Sequence, residues 1–84
     1  MFKNKHQNRN NICGIAIRSL RLKAEPRLSQ RALADRMQLE GLDLDKNAIQ
    51  RIESGQRFIT DIELIAFAHV FNISVDDLYH NSSI

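Results

Sequence analysis

A helix-start pattern occurs four times between residues 28 and 78 and restricts the fold more than any other feature of the sequence. At each place a Ser, Thr or Asp that can cap a helix N-terminus follows one apolar residue and precedes another by four positions. The capping residues are Ser29, Asp45, Thr60 and Ser74. Thr60 is also followed three positions later by Glu63, which completes a capping box. Four helices are therefore predicted to begin at these residues.

A fifth helix precedes these four, and the helix ends are marked as well. From Ile12 onward apolar residues recur at helical spacing, until Pro26 closes the segment. Gly41 and Gly55 can adopt the left-handed conformation just past the second and third helices. No segment alternates as a β-strand does. The predicted fold is all-α, a compact domain of five helices.

Length and composition predict a single domain. The 84 residues, 43% of them hydrophobic, suffice for one modest core and leave no room for a separate ligand-sensing domain. Residues 1–11 are predicted to form a flexible basic arm, residues 12–79 the folded domain and residues 80–84 a short tail. The lone Cys13 has no disulfide partner, and no apolar run has signal-peptide or membrane-spanning length. These features favour a cytoplasmic protein.

Charge is distributed unevenly along the chain. Residues 1–27 contain seven Lys or Arg and one acid, for +6; residues 28–59 contain five of each, for 0; residues 60–84 contain four acids and no Lys or Arg, for −4. A basic leading third suits a polyanionic partner. Chance asymmetry, which is common among small soluble domains, is the alternative explanation.

The sequence contains no arrangement that suggests catalysis. No nucleophile and base occur in a recognisable pattern, and the three glycines are isolated rather than grouped in a phosphate-binding loop. His6, His69 and His80 are scattered and form no metal-ligand pattern with Cys13. We therefore expect no enzymatic activity, no catalytic residue, no metal, no cofactor and no small-molecule ligand.

The second and third predicted helices form a pair suited to reading DNA. Leu33, Ala34 and Met37 lie at helical spacing on the first of them, as Ile49 and Ile52 do on the second. The outward positions of the third helix are polar or basic. A short helix that is apolar on one side and polar on the other is what a reader of the major groove requires.

These segments resemble the helix-turn-helix family of phage repressors and Cro proteins, also called the xenobiotic-response-element family. The resemblance is carried by Ser29-Gln30, Leu33-Ala34, Ile49-x-Arg51-Ile52-Glu53-x-Gly55, Arg57 and Leu64-x-x-Phe67-Ala68-x-x-Phe71-Asn72-Ile73-Ser74. It extends from Ile12 to Tyr79 and implies a lambda-repressor-like domain with a helix-turn-helix in helices two and three. It also implies a bacterial or phage-encoded, nucleoid-associated regulator of transcription that represses its target. The turn before Asp45 is longer than in the shortest family members.

The resemblance assigns DNA contacts to particular residues. Four positions on the third helix match those that face base edges: Lys46, Asn47, Gln50 and Arg51. A solvated polar helix face is the alternative for this set. Phosphate contacts are expected from Gln30 and Arg31 at the start of the second helix, and a phosphate or minor-groove contact is expected from Arg57. Lys3, Lys5 and Arg9 could reach DNA from the arm, although a role in solubility explains them equally well.

The resemblance also implies a largely buried ion pair between Arg21 and Glu53, which would join the first helix to the third. Both residues are therefore interpreted as structural. Removal of either partner would leave a buried charge without its counterion.

Sequence-specific binding by one short helix favours a homodimer on a palindromic site of double-stranded DNA. Candidates for the dimer surface are the apolar residues outside the predicted core stripe and near the tail: Phe58, Ile62, Ile65, Leu78, Tyr79 and Ile84. Filling of the core is an equally good explanation for Phe58 and Ile62. Two other functions fit the same fold. One is an antitoxin or restriction-controller protein, and the other is a protein-interaction module in which DNA binding is vestigial.

Overall fold

The computed structural model describes residues 4–82, and within that range it contains five helices and no strand. The helices are α1 (Gly14–Lys23), α2 (Gln30–Leu39), α3 (Lys46–Ser54), α4 (Asp61–Phe71) and α5 (Val75–His80). The predicted all-α class and the helix number are confirmed. The first helix starts at Gly14 rather than Ile12 and stops at Lys23, three residues before Pro26.

All four predicted helix starts are correct, and each uses the expected side-chain cap. Ser29 Oγ accepts a hydrogen bond from the Ala32 amide at 3.0 Å, and Asp45 Oδ1 accepts one from the Ala48 amide at 2.7 Å. Thr60 forms the predicted capping box with Glu63. A second capping box joins Ser74 to Asp77 at the start of α5. These caps satisfy amide groups that lack partners within the helix.

Glycine ends α2 and α3 as the sequence indicates. Gly41 has φ +87° and Gly55 has φ +85°, a conformation that glycine adopts without steric cost. After Gly41 the chain turns back, so that the Leu42 amide donates to the Met37 carbonyl at 3.1 Å. An equivalent hydrogen bond ends α3, where the Gln56 backbone amide donates to the Arg51 carbonyl at 2.9 Å.

The core lies where α3 packs against α1 and α2, with α4 and α5 closing the remaining side. Its largest fully buried side chains include Phe67 of α4 and Leu78 of α5, together with Ile17, Leu33, Met37, Ile49 and Ile52. Leu78 was a candidate for the dimer surface, and that prediction is wrong because the side chain is 0% exposed. None of the helices in the described range has the length and apolar content needed to cross a bilayer.

The start of α1 is capped by residues from both ends of the domain. Asn11 Oδ1 accepts from the Gly14 amide at 2.8 Å, and Ser82 Oγ accepts from the Ala16 amide at 3.2 Å. The Ser82 hydroxyl also donates to the Leu78 carbonyl at 2.8 Å and is almost completely buried. Within the segment predicted as a short tail, residues 80–84, His80 still belongs to α5 and Ser82 packs against the start of α1. Burial in this region also raises the pKa of the Cys13 thiol, against the lowering effect of its hydrogen bond with Ser82.

Candidate nucleic-acid interface

The two sides of α3 differ in chemistry. Ile49 and Ile52 are fully buried against α1 and α2. The opposite side is exposed to solvent and carries the four predicted base-reading residues: Lys46, Asn47, Gln50 and Arg51. The structure therefore brings these four side chains onto one accessible helix face, where both charged and amide donors are available.

A basic groove of about 540 Å³ lies beside this face, where the start of α2 approaches α1 and the first turn of α3. Five cationic side chains line it, Arg18, Arg21, Arg27, Arg31 and Lys46, and of these Arg21 is paired with Glu53. No acidic residue of the described chain is part of its lining. A positive surface next to a polar helix is suited to a phosphate backbone.

Arg18 and Arg27 were missed at the level of sequence. Arg18 is exposed on α1, and Arg27 is exposed in the link between α1 and α2. The one available signal was that Arg18 precedes Arg21 by three positions and so shares its helix face. Arg27 lies in a non-repetitive segment, so only the fold shows that it meets the other cations.

Gln30, predicted to contact phosphate, occupies the first position of α2 beside this groove. Its Nε2 donates to Glu53 Oε1 at 3.1 Å. A glutamine amide carries a second N–H donor and an acceptor oxygen, so this bond does not exhaust its capacity. Arg31 follows it on the helix and is exposed. The structure thus places both residues at a helix N-terminus, where backbone amides and the helix dipole favour anions.

Arg21 and Glu53 form the buried ion pair that the resemblance implies. Arg21 Nε donates to Glu53 Oε2 at 2.7 Å, and Nη2 donates to Oε1 at 2.9 Å. The two side chains are only 9% and 3% exposed. The third guanidinium nitrogen, Nη1, donates to the Leu28 carbonyl at 3.0 Å. This bidentate pair joins α1 to α3, and therefore holds α3 against the core.

The structure corrects the interpretation of Arg57. Its Nη1 and Nη2 donate to Glu63 Oε1 and Oε2, both at 3.0 Å, and Nη1 also donates to the Phe58 carbonyl at 2.9 Å. The guanidinium is therefore committed to the start of α4 rather than presented to a phosphate. The hydrogen bond with Glu63 raises the pKa of Arg57 above its ordinary value.

Glu63 is stabilised as a carboxylate by these contacts. Burial alone would raise the pKa of this carboxyl, but the hydrogen bonds from Arg57 and from the Thr60 amide outweigh burial and hold the pKa below its ordinary value. The Arg57 pair and the capping box thus meet at one carboxylate, which connects the end of α3 to α4.

This lowered pKa predicts a pH-dependent contribution to stability. Because the folded pKa lies below the unfolded one, the ion pair stabilises fully above the ordinary carboxyl pKa, and its contribution is lost as pH falls through the lowered value. We expect Glu63→Gln to reduce the free energy of unfolding by about 1 kcal/mol at neutral pH and by much less in acid. Urea denaturation at several pH values measures this difference. Asp61→Asn is the control, because it removes a charge from the same helix turn without breaking the Arg57–Glu63 pair. Equal losses of unfolding free energy in the two variants would show that the ion pair does not stabilise the fold.

The predicted arm is only partly an arm. Residues Arg9 to Asn11 are hydrogen-bonded to the C-terminal end of α3, so the prediction of a flexible segment as far as Asn11 is wrong for these three residues. The half-buried Arg9 side chain donates to the Asn11 and Glu53 carbonyls. Lys5 is exposed, and Lys3 lies outside the described residues.

Four of the candidate dimer residues remain exposed. The exposed fraction is 52% for Phe58, 66% for Ile62, 51% for Ile65 and 48% for Tyr79. Core filling therefore does not account for Phe58 and Ile62. Ile84 lies outside the described residues. Between residues 4 and 82, His, Cys, Asp and Glu side chains nowhere form a group of three that could hold a metal ion.

Five helices, a helix pair with one polar face exposed, and an adjacent basic groove define a class of protein, the small helical DNA-binding domains. The family model described as helix-turn-helix matches residues 17–78, and the chain belongs to that family, which includes regulators of the phage repressor and Cro type. It is accordingly a DNA-binding regulator of transcription. No curated protein and no solved structure matches the chain.

Proposed function

We propose that the protein is a repressor that binds a palindromic operator as a homodimer. The observation that carries this proposal is the exposed face of α3, which presents two cationic and two amide side chains beside a basic groove. Occupancy of the operator would block access of polymerase to the promoter.

Affinity in this proposal comes mainly from the basic groove. Arg18, Arg27 and Arg31 lie where a phosphate backbone would pass, and Gln30 stands at the start of α2 between α1 and α3. Neutralised phosphates release counterions, so binding weakens steeply as salt concentration rises. These contacts position the domain without distinguishing one sequence from another.

Selectivity comes from the outer face of α3. Lys46 and Arg51 can donate to guanine O6 and N7, while Asn47 and Gln50 can pair with the N6 and N7 atoms of adenine. Asp45 caps the helix immediately before Lys46, and Gly55 ends it four residues after Arg51. The reading residues therefore lie within one short, rigidly bounded helix.

The homodimer follows from the small size of one reading helix. A single helix contacts few base pairs, and a second copy on a two-fold symmetric site multiplies the specificity. We propose that the two copies meet through four exposed apolar side chains, Phe58, Ile62, Ile65 and Tyr79. Ile62 and Ile65 are three positions apart on α4 and so share one helix face. Exposed apolar side chains that share a face favour association.

Selection of bound duplexes from a random-sequence pool tests the proposed function. We expect enrichment of a palindrome whose half-site centres are about 34 Å apart, which corresponds to one helical turn of DNA. Enrichment of a single asymmetric half-site would contradict the dimer. Failure to enrich any duplex would contradict the proposal and favour the protein-interaction module.

Replacing Arg51 by alanine tests the assignment of the reading face. We expect Arg51→Ala to lose its preference at one base pair of each half-site, at a cost of roughly 1 to 3 kcal/mol in specific binding. Affinity for single-substituted duplexes measures this preference. The control is Arg36→Ala, since Arg36 is exposed but lines a different groove with Pro26 and Phe71. An unchanged base preference in Arg51→Ala would remove Arg51 from the reading set.

A further inference from the structure

The segment Arg9–Asn11, which we name the strap, lies across the C-terminal end of α3. Arg9 Nη2 donates to the Glu53 carbonyl at 2.9 Å, and Arg9 Nε donates to the Asn11 carbonyl at 3.1 Å. The Asn10 backbone amide donates to the Gly55 carbonyl at 2.7 Å. The strap therefore bonds to the helix end through both side chains and backbone.

The two asparagines of the strap extend these bonds past the helix. Asn10 Nδ2 donates to the Gln56 carbonyl at 2.9 Å. Asn11 Nδ2 donates to the carbonyls of Ile52 and Arg57, at 2.9 and 2.7 Å. The Ile52 carbonyl also accepts from the Gly55 backbone amide, so the strap adds a second donor at the helix end and supplies donors to the two residues that follow Gly55.

Glu53 is consequently hydrogen-bonded through both its side chain and its backbone. Its carboxylate accepts from Arg21, and its backbone carbonyl accepts from Arg9. The fit between the strap and the helix end is close, since a Cβ at Gly55 would lie 2.9 Å from Arg9 Cγ. The Arg9 cation also lies at the negative end of the α3 dipole, which favours this position for a positive charge.

We propose that Arg9, Asn10 and Asn11 are positioning residues that hold the last turn of α3, and with it Arg51, at the angle that base reading requires. This inference rests on the proposed function. Arg51 belongs to the turn that the strap fixes, whereas the first turn of α3 is fixed by the Asp45 cap. Side chains that recognise a ligand must be held within a fraction of an ångström, so an anchored helix end controls specific binding without touching DNA.

A matched pair of variants tests this inference. Arg9→Ala and Arg36→Ala each remove one positive charge, but of the two only Arg9 donates to α3. We expect Arg9→Ala to weaken binding to the duplex selected by the wild-type chain by roughly ten-fold. Its binding to an unrelated duplex of equal length, and the slope of log affinity against log salt, should stay as in the wild type. Arg36→Ala should match the wild type in specific binding, because Arg36 lines a different groove from the reading face.

Amide hydrogen exchange in the DNA-free protein supplies an independent readout. We expect faster exchange in the last turn of α3 in Arg9→Ala and unchanged exchange in the first turn. Asn10→Ala removes only one neutral side-chain bond and should produce the same pattern with a smaller effect. This second variant keeps the inference testable if Arg9→Ala does not fold.

Three results would overturn the inference. Equal weakening on both duplexes, with a salt slope smaller by about one, would make Arg9 a phosphate contact. Wild-type specific affinity in folded Arg9→Ala would show that the strap does not position α3, and so would unchanged exchange in its last turn. A wild-type chain that selects no duplex would instead defeat the proposed function, while the exchange experiment would still test the strap.

Discussion

Glu53→Ala is expected to lose folding and DNA binding together. The substitution leaves the Arg21 guanidinium buried without its counterion and also removes the acceptor of Gln30. Breaking a buried pair from one side costs on the order of 3 to 5 kcal/mol. A small domain has a total stability of only about 5 kcal/mol or a little more, so most of it would be lost.

Urea denaturation followed by circular dichroism measures the loss, and the matched control removes both charges. Arg21→Met combined with Glu53→Met leaves no unpaired ion and fills similar space, so it should recover much of the stability that Glu53→Ala loses. Wild-type stability in the single variant Glu53→Ala would refute the structural role of the pair. A double variant as unstable as the single one would show that packing, rather than an unpaired charge, is responsible.

Gly14→Ala is expected to destabilise the fold by about 3 kcal/mol, the upper end of the usual cost of overpacking. A Cβ at Gly14 would collide with the Ile52 carbonyl oxygen, and would lie 2.6 Å from Asn11 Oδ1 and 2.8 Å from Arg9 Nη2. The first of these obstacles is backbone, so α1 and α3 would have to separate. Helix propensity alone predicts the opposite sign, since alanine is favoured over glycine inside a helix by about 1 kcal/mol.

Gly41→Ala separates crowding from backbone strain. Gly41 has φ +87° but no atom within 4 Å of an added Cβ, so only the left-handed backbone opposes the substitution. We expect Gly41→Ala to lower the free energy of unfolding by about 1 to 2 kcal/mol, less than Gly14→Ala does. Thermal and urea unfolding of the two variants measure the difference. A stabilised Gly14→Ala would show that α1 and α3 are not in the close contact described.

The helices were predictable because their boundaries depend on local chemistry. Asp45 caps α3 through an amide three residues away, and Gly55 ends it through its own backbone conformation. Both signals lie within a few residues of the feature they mark. The exposed face of α3 was predictable for the same reason, since helical spacing alone separates Ile49 and Ile52 from the polar positions.

Contacts made to backbone carbonyls were not predictable. Arg9 and Asn11 bind carbonyls of α3, and every residue of every chain carries a carbonyl, so no pattern of residue types marks the partner. The low apolar content of residues 1–11 therefore predicts a flexible arm. No sequence pattern indicates that Ser82 accepts a hydrogen bond from α1 either, so the sequence predicts only a tail there.

The sites of the cations depended on tertiary structure as well. The sequence predicts a DNA contact for Arg57. The turn into α4 instead brings Arg57 to Glu63, which lies six positions later in α4. Arg18 and Arg27 meet Arg31 only because three separate elements converge on one groove. Sequence spacing describes neighbours on one helix and does not describe neighbours on different ones.

The shared capping of α1 by Asn11 and Ser82 has a consequence for how this domain can be cut and rejoined. Because both residues bond amides of one helical turn, the two ends of the folded unit lie side by side. A short linker from Ser82 to the strap would close the chain into a ring, and new termini could then be opened in the exposed turn at Gly41. Such a circular permutant would keep every helix intact while moving its ends away from α1.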